Sequence, residues 1–191
     1  MASIKGSKTE VNLMTSFAGE SQARNRYTFF ASAAKKEGFV LVSDIFTETA
    51  AQEKEHAERM FKFLEGGCVE IKAAFPAGVI GKTLDNLLAA AGGELEEWQD
   101  AYPGFAKVAR EEGFADIAAM YEKIAVSEKF HDKRYRMLAD LIKSGTMFKR
   151  DTSVTWRCRN CGYIHEGSEA PALCPACLHP RDYFEVLNMA W

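Results

Sequence analysis

Four long stretches of the chain place apolar residues at alternating three- and four-residue intervals, the spacing of one buried helical face. In the first, Leu13, Phe17, Ala23, Tyr27, Phe30 and Ala34 form the stripe, and Glu20 interrupts it. Ser7-Lys8-Thr9-Glu10 has the form of a capping box and Gly38 supplies a stop, so a helix is predicted between Ser7 and Glu37. The second, from about Phe39 to Glu65, carries Phe46, Ala50, Ala57, Met60 and Leu64, with Glu53 among them and His56 beside it. Gly66, Gly67, Pro76, Gly78 and Gly81 then mark residues 66–81 as a long crossover connection. A third helix is predicted from about Thr83 to Glu112, kinked or distorted where Gly92-Gly93 and Pro103-Gly104 fall. The fourth, about Phe114 to Ser144, has the most regular stripe: Ile117, Tyr121, Ile124, Tyr135, Leu138 and Ile142, with Glu128 and His131 inside it.

The second pair of helices repeats the first at a shift of 75 residues, which lays Tyr27 on Tyr102, Gly38-Phe39 on Gly113-Phe114, Glu53 on Glu128 and His56 on His131. Glu20 falls one residue away from Glu94, a slip that the Gly92-Gly93 irregularity could absorb. Two helical hairpins joined by a long connection predict a four-helix bundle with a pseudo-two-fold axis. Past Gly145 the helical period stops. Residues 146–153 read as a short polar linker, so residues 1–145 are expected to form the bundle and residues 154–191 a separate small unit rich in turn signals. So short a unit cannot support a packed core unaided, and a metal is expected to hold it.

Composition adds limits rather than direction. With 47% hydrophobic and 27% charged residues the chain reads as an ordinary globular protein, and a net charge of −3 gives no nucleic-acid footprint. No basic-then-apolar leader and no apolar run long enough for a bilayer stand out, so a cytoplasmic protein without membrane partners is expected. Four of the five cysteines form two Cys-x-x-Cys pairs in the tail, which favours metal binding over disulfides. Cys68 stands alone and reads as a spectator thiol.

The carboxylates that break apolar stripes are Glu20, Glu53, Glu94 and Glu128, with Glu97 one turn beyond Glu94. Glu53-x-x-His56 and Glu128-x-x-His131 each put a carboxylate and an imidazole one turn apart on a single helix face. Burying so many ionised groups together would cost more than the net stability of a domain, so cations must offset them. Oxygen-rich coordination with one imidazole per metal suits two iron or manganese ions better than zinc alone. Tyr27 and Tyr102 lie two turns after Glu20 and Glu94 and could donate hydrogen bonds to ligating carboxylates. Glu97 matches Gln22 in the first half, so it is a spare ligand that would let one metal change partners. In the tail, Cys158, Cys161, Cys174 and Cys177 make a tetrathiolate site for structural zinc or a single redox-active iron. His165 and His179 are expected on the surface of that unit.

Glu20, Glu53-x-x-His56, Glu94-x-x-Glu97 and Glu128-x-x-His131, followed by Cys158-Arg159-Asn160-Cys161-Gly162-Tyr163 and Cys174-Pro175-Ala176-Cys177, resemble the rubrerythrin family over essentially the whole chain. The resemblance implies a mainly α fold: a ferritin-like four-helix bundle with a long crossover, plus a small rubredoxin-like metal-bound β/loop domain. It implies two non-haem irons in a di-iron oxo site held by Glu20, Glu53, His56, Glu94, Glu97, Glu128 and His131. One further iron is implied on Cys158, Cys161, Cys174 and Cys177. It also implies that one iron exchanges Glu97 for His56 on reduction, with Tyr27 and Tyr102 at the reacting centre. The implied activity is a peroxidase-type oxidoreductase that reduces hydrogen peroxide to water in oxidative-stress defence. Electrons would come indirectly from NAD(P)H, through an external reductase or a rubredoxin. The implied assembly is a homodimer in which one subunit's tail lies near the other's di-iron site. One departure is Leu178, where many rubredoxins have Gly; their gap between cysteine pairs is also longer. That bears on hydrogen bonds to sulfur and not on ligation. Two rival functions use the same residues: a ferroxidase or iron-handling protein, and a non-catalytic zinc-ribbon protein that binds partners.

Overall fold

The computed structural model describes residues 3–188. Five helices, α1 (Lys8–Lys36), α2 (Val40–Phe61), α3 (Thr83–Glu96), α4 (Tyr102–Glu111) and α5 (Ala115–Lys143), make the bundle. The Ser7 hydroxyl accepts from the Glu10 N–H at 3.0 Å, and the Glu10 carboxylate takes the Gly6 N–H at 2.7 Å, so both ends of the capping box are in use. Helix α2 stops at Phe61, four residues short of the expected end.

Helices α1 and α2 form one hairpin, and α3–α4 with α5 the other. The duplication extends to their turns. Gly38 and Gly113 take φ of +84° and +86°, and the next residue closes the helix end in each, Phe39 N–H to Ala34 O at 2.9 Å and Phe114 N–H to Ala109 O at 2.7 Å. The hairpins also cap each other. Glu112, at the end of α4, accepts from the Thr9 N–H at 2.9 Å and from the Lys8 N–H at 3.1 Å. Glu37, at the end of α1, accepts from the Thr83 N–H at 3.1 Å. Each carboxylate meets the positive end of an antiparallel helix.

The third predicted helix is interrupted by a π-turn, Glu97–Ala101, in which the Tyr102 N–H reaches back to the Glu97 carbonyl. The distortion therefore does not lie at Gly92-Gly93, which remain in regular α3. Pro103 explains the placement: its ring would clash with the Gln99 carbonyl of an α-helix, and opening the ladder one turn earlier puts Pro103 near the start of α4. The one-residue slip between the halves is taken up here.

Two apolar clusters fill the bundle. One gathers Tyr27, Phe30, Phe46, Leu87, Tyr135 and Leu138; the other gathers Leu13, Met60, Tyr102, Ile117, Tyr121 and Ile124. The stripe-breaking carboxylates lie between them along every helix.

The C-terminal module is a three-stranded antiparallel sheet, β1 (Lys149–Cys158), β2 (Ile164–Glu169) and β3 (Phe184–Val186), in the order β2-β1-β3. Strand β1 starts inside the stretch read as linker, where Phe148 stacks on Phe39 with ring planes 5° apart. Arg159 donates to Asp44 of α2 at 2.9 Å. At Gly38 the positive φ favours glycine, and an added Cβ would stand 2.7 Å from Asp182 Oδ2, so that side chain would have to shift. Among the described residues no helix is long and apolar enough to cross a membrane.

Candidate metal centres

Six of the seven bundle residues singled out as ligands converge. Donor atoms of Glu20, Glu53, His56 and Glu128 form one group, and those of Glu53, Glu94, Glu128 and His131 another, each within 4.8 Å of one another. Glu53 and Glu128 belong to both and are placed to bridge two ions. The four glutamates are at most 1% exposed.

Hydrogen bonds satisfy only part of this donor set: His56 Nδ1 meets Glu53 Oε2 at 2.9 Å, while several other donor atoms are left without a partner. His131 Nδ1 lies 2.8 Å from Glu128, 3.2 Å from Glu53 and 3.4 Å from Glu94, yet it has no hydrogen-bond partner. Both Glu128 oxygens, Glu53 Oε1, Glu20 Oε2 and Glu94 Oε2 are likewise buried and unpartnered. These atoms point at shared space, and a cation in each group would satisfy them all. The other nitrogen of His131, Nε2, is 2.9 Å from Gln52 Oε1, a contact that leaves Nδ1 free for a metal.

Charge tells the same story. Burial, then the Glu53 charge, push the Glu94 carboxyl up to about 8, and burial drives Glu20 well above the ordinary range. Burial works against charge on the histidines, but carboxylates outweigh it. Glu128 and Glu53 raise His56 to about 10, and Glu128, Glu53 and Glu94 raise His131 to about 12. Burial also pushes Glu53 upward, but the two histidines overcome it and hold it below its usual value. Without a cation the site holds protons, and metal would displace them.

The tyrosines lie across the repeat. Tyr27 donates to Glu94 and Tyr102 to Glu20, so each bonds the carboxylate of the opposite hairpin and not the one two turns before it. The reason is antiparallel packing: α1 and α3–α4 run in opposite directions, so positions before and after the site meet. Burial keeps both phenols well above their usual range, hence protonated and able to donate.

Glu97 is the residue the structure does not bring into either group. It begins the π-turn and lines a cavity of about 190 Å³ between α1, the π-turn and the crossover residues Ala73–Pro76. Burial first, then the charges of Glu94, Glu128 and Glu53, hold its carboxyl well above the ordinary value. Counted from Glu20 and Glu94, its counterpart is Ala23 and not Gln22, since the π-turn comes later.

In the module the four cysteine sulfurs also lie within 4.8 Å of one another, with none joined by a disulfide. The two knuckles share one backbone plan. Gly162 N–H donates to Cys158 O at 2.8 Å and Leu178 N–H to Cys174 O at 2.9 Å. Gly162 has φ of +79° and Leu178 +58°, so Leu178 holds the left-handed conformation that glycine takes in the first knuckle. His165 and His179 are half-buried and stand outside the sulfur group.

The family model described as rubrerythrin matches residues 11–139, and a second, rubrerythrin rubredoxin-like domain, matches residues 156–185. A rubrerythrin of Nitratidesulfovibrio vulgaris is 59% identical over 191 residues and covers the whole of both chains. The chain belongs to the rubrerythrin family. A solved structure titled as a partially reduced state of nigerythrin superposes with a TM-score of 0.64 at 31% identity, covering 96% of this chain and 90% of that one. Desulfovibrio desulfuricans bacterioferritin, at 23% identity, TM-score 0.63, 73% of this chain and 82% of that one, shares the ferritin-like fold. As a rubrerythrin-family protein, the chain has a di-iron carboxylate site in its bundle and a one-iron site on its four cysteines.

Two residues at the di-iron site have no signal in the stripes. Gln52 stands one turn before His56, and only the packing of α2 on α5 shows that it serves His131. Arg26 looks like a solvent cation in sequence, yet it lines the cavity beside Glu97.

Proposed function

We propose that the chain is a non-haem di-iron peroxidase that reduces hydrogen peroxide to water, with electrons relayed by its own tetracysteine iron. The observation that carries this reading is Glu97, a fifth carboxylate held just outside a donor set that already includes His56. Peroxide takes up two electrons and two protons to give two waters, and the paired irons supply one electron each when bound.

The protein's own groups do the rest. Glu53 and Glu128 hold the pair together, and Gln52 fixes His131 as a permanent imidazole ligand. Tyr27 and Tyr102 keep Glu94 and Glu20 from rotating. His56, within the donor group, and Glu97, outside it, are the two side chains that would trade places as ligands when the charge of a loaded site changes. The 190 Å³ cavity reaches Tyr27, Tyr102 and Glu97 and is roofed by Phe75. At roughly 30 Å³ per water molecule it has room for several molecules the size of hydrogen peroxide beside Glu97 and the two tyrosines. The donor to the cysteine iron is an external reductase or a rubredoxin, and the working unit is a cytoplasmic homodimer in which one tail serves the partner's di-iron site.

Stopped-flow mixing of anaerobically reduced, iron-loaded protein with peroxide and, separately, with oxygen tests the reading. Oxidation by peroxide is expected to be faster by more than about tenfold, a barrier difference of about 1.4 kcal/mol. Preference for oxygen would instead make the chain a ferroxidase.

A further inference from the structure

Three charged residues without a charged counterpart in the other half line one cavity of about 190 Å³: Glu96, Glu97 and Arg26. Counted from Glu20 and Glu94, Glu96 and Glu97 stand opposite Gln22 and Ala23; counted from Tyr27 and Tyr102, Arg26 stands opposite Ala101. Glu96 is exposed, and Glu97 and Arg26 are the half-buried acid and base among them. The Arg26 guanidinium lies 5.9 Å from the Tyr27 ring centroid, and its Nη2 would stand 3.7 Å from a Cβ on Gly93, one turn before Glu97. Its Nε is buried and has no hydrogen-bond partner among the described residues. Arg26 is also the positive charge that opposes the upward push of burial and neighbouring carboxylates on Glu97.

Charge balance gives the pair a role. Glu20, Glu53, Glu94 and Glu128 carry four negative charges, which two ferrous ions cancel. Glu97 is then left over, and Arg26 is the cation that lines its cavity, without a nitrogen within ion-pair distance of the carboxylate. Two ferric ions carry two further positive charges; an oxo bridge would cancel these in sum, but each ferric ion still attracts a carboxylate more strongly than a ferrous one and so would compete with Arg26 for Glu97. A guanidinium suits the task better than an ammonium, because it is weakly hydrated and can lie half-buried against an aromatic ring.

We propose that Arg26 is the positioning residue for Glu97: it retains the carboxylate in the cavity while the site is reduced and yields it when the metal charge rises. This rests on the reading above that Glu97 exchanges with His56. The test is a set of crystal structures of full-length, iron-loaded protein, dithionite-reduced and peroxide-oxidised, for the unaltered chain, Arg26→Gln and Arg26→Lys. Iron per chain and helix content are measured first; if Arg26→Gln does not hold iron, Arg26→Met replaces it. In the reduced uncharged variant Glu97 is expected on the metal with His56 displaced, and the midpoint potential of the di-iron site is expected to fall. Arg26→Lys should keep Glu97 in the cavity. Glu97 remaining in the cavity of the reduced uncharged variant overturns the proposal, even if the potential falls, as does identical behaviour of the Gln and Lys variants. Failure of the underlying reading is seen separately, as a Glu97 that does not move between the two states of the unaltered protein.

Discussion

In the bundle, the metal-binding carboxylates interrupt two apolar clusters that are complete without them, whereas in the C-terminal module two of the five buried core residues among those described, Cys158 and Cys174, are themselves ligands. The bundle folds in spite of its site. Its four inner glutamates repel one another and orphan their oxygens, and the apolar ends of the bundle supply the stability that tolerates this. The module has the opposite dependence: among the described residues, apart from its ligands, only Trp156, Ala170 and Phe184 are fully buried in its core. Iron is thus a cargo for one region and a structural part of the other.

Removing metal should separate the two most sharply. Chelation, or Cys174→Ser, is expected to unfold residues 149–188 while α1–α5 persist, since metal binding to small cysteine sites is worth on the order of 10 kcal/mol. Hydrogen exchange resolved along the chain reads this directly, and a protected β1 in metal-free protein would show that the module stands without its ion. A smaller effect should appear inside the bundle. Glu128→Ala removes a ligand common to both donor groups and should abolish binding of both irons, while Glu94→Ala should leave one. In the metal-free protein both changes should lower the melting point slightly, because Glu128→Ala takes away the carboxylate that holds the protons of His56 and His131 and Glu94→Ala leaves the Tyr27 hydroxyl unpaired; a rise in melting point would show that repulsion among the carboxylates dominates instead. The smallest effect is expected at Leu178, which is 74% exposed and sits at φ +58°. Leu178→Gly should stabilise the module by less than about 1 kcal/mol, relief of left-handed strain being partly offset by the entropy of glycine. Calorimetry of the iron-loaded protein would detect the sign.

The stripes made the four-helix bundle and most of its ligands legible because helical periodicity alone puts Glu53 with His56, and Glu128 with His131, on one face. What joins one helix to another was not legible. Tyr27 pairs with Glu94, and Tyr102 with Glu20, only because the hairpins pack antiparallel, and the same packing sends Glu112 to Thr9 and Gln52 to His131. The irregularity of the third helix was foreseen at Pro103 as well as at Gly92-Gly93; it falls in the turn before Pro103, because that ring acts on a carbonyl four residues back, while Gly92 and Gly93 are permissive and compel nothing. The left-handed Leu178 was equally hidden, since nothing about leucine signals that conformation.

The π-turn has a consequence for how the chain can change. In a duplicated gene it amounts to a single added codon. Deleting one residue between Glu97 and Ala101 would let the turn close into ordinary helix and set Tyr102 seven residues after Glu94, the spacing that Glu20 and Tyr27 keep in α1, so both would still face the ions. Making the stretch regular at its present length would instead rotate α4 by about 100° relative to α3 and break the cradle. The turn is how an added residue is accommodated, and its loss together with that residue returns the helix to the register of its twin.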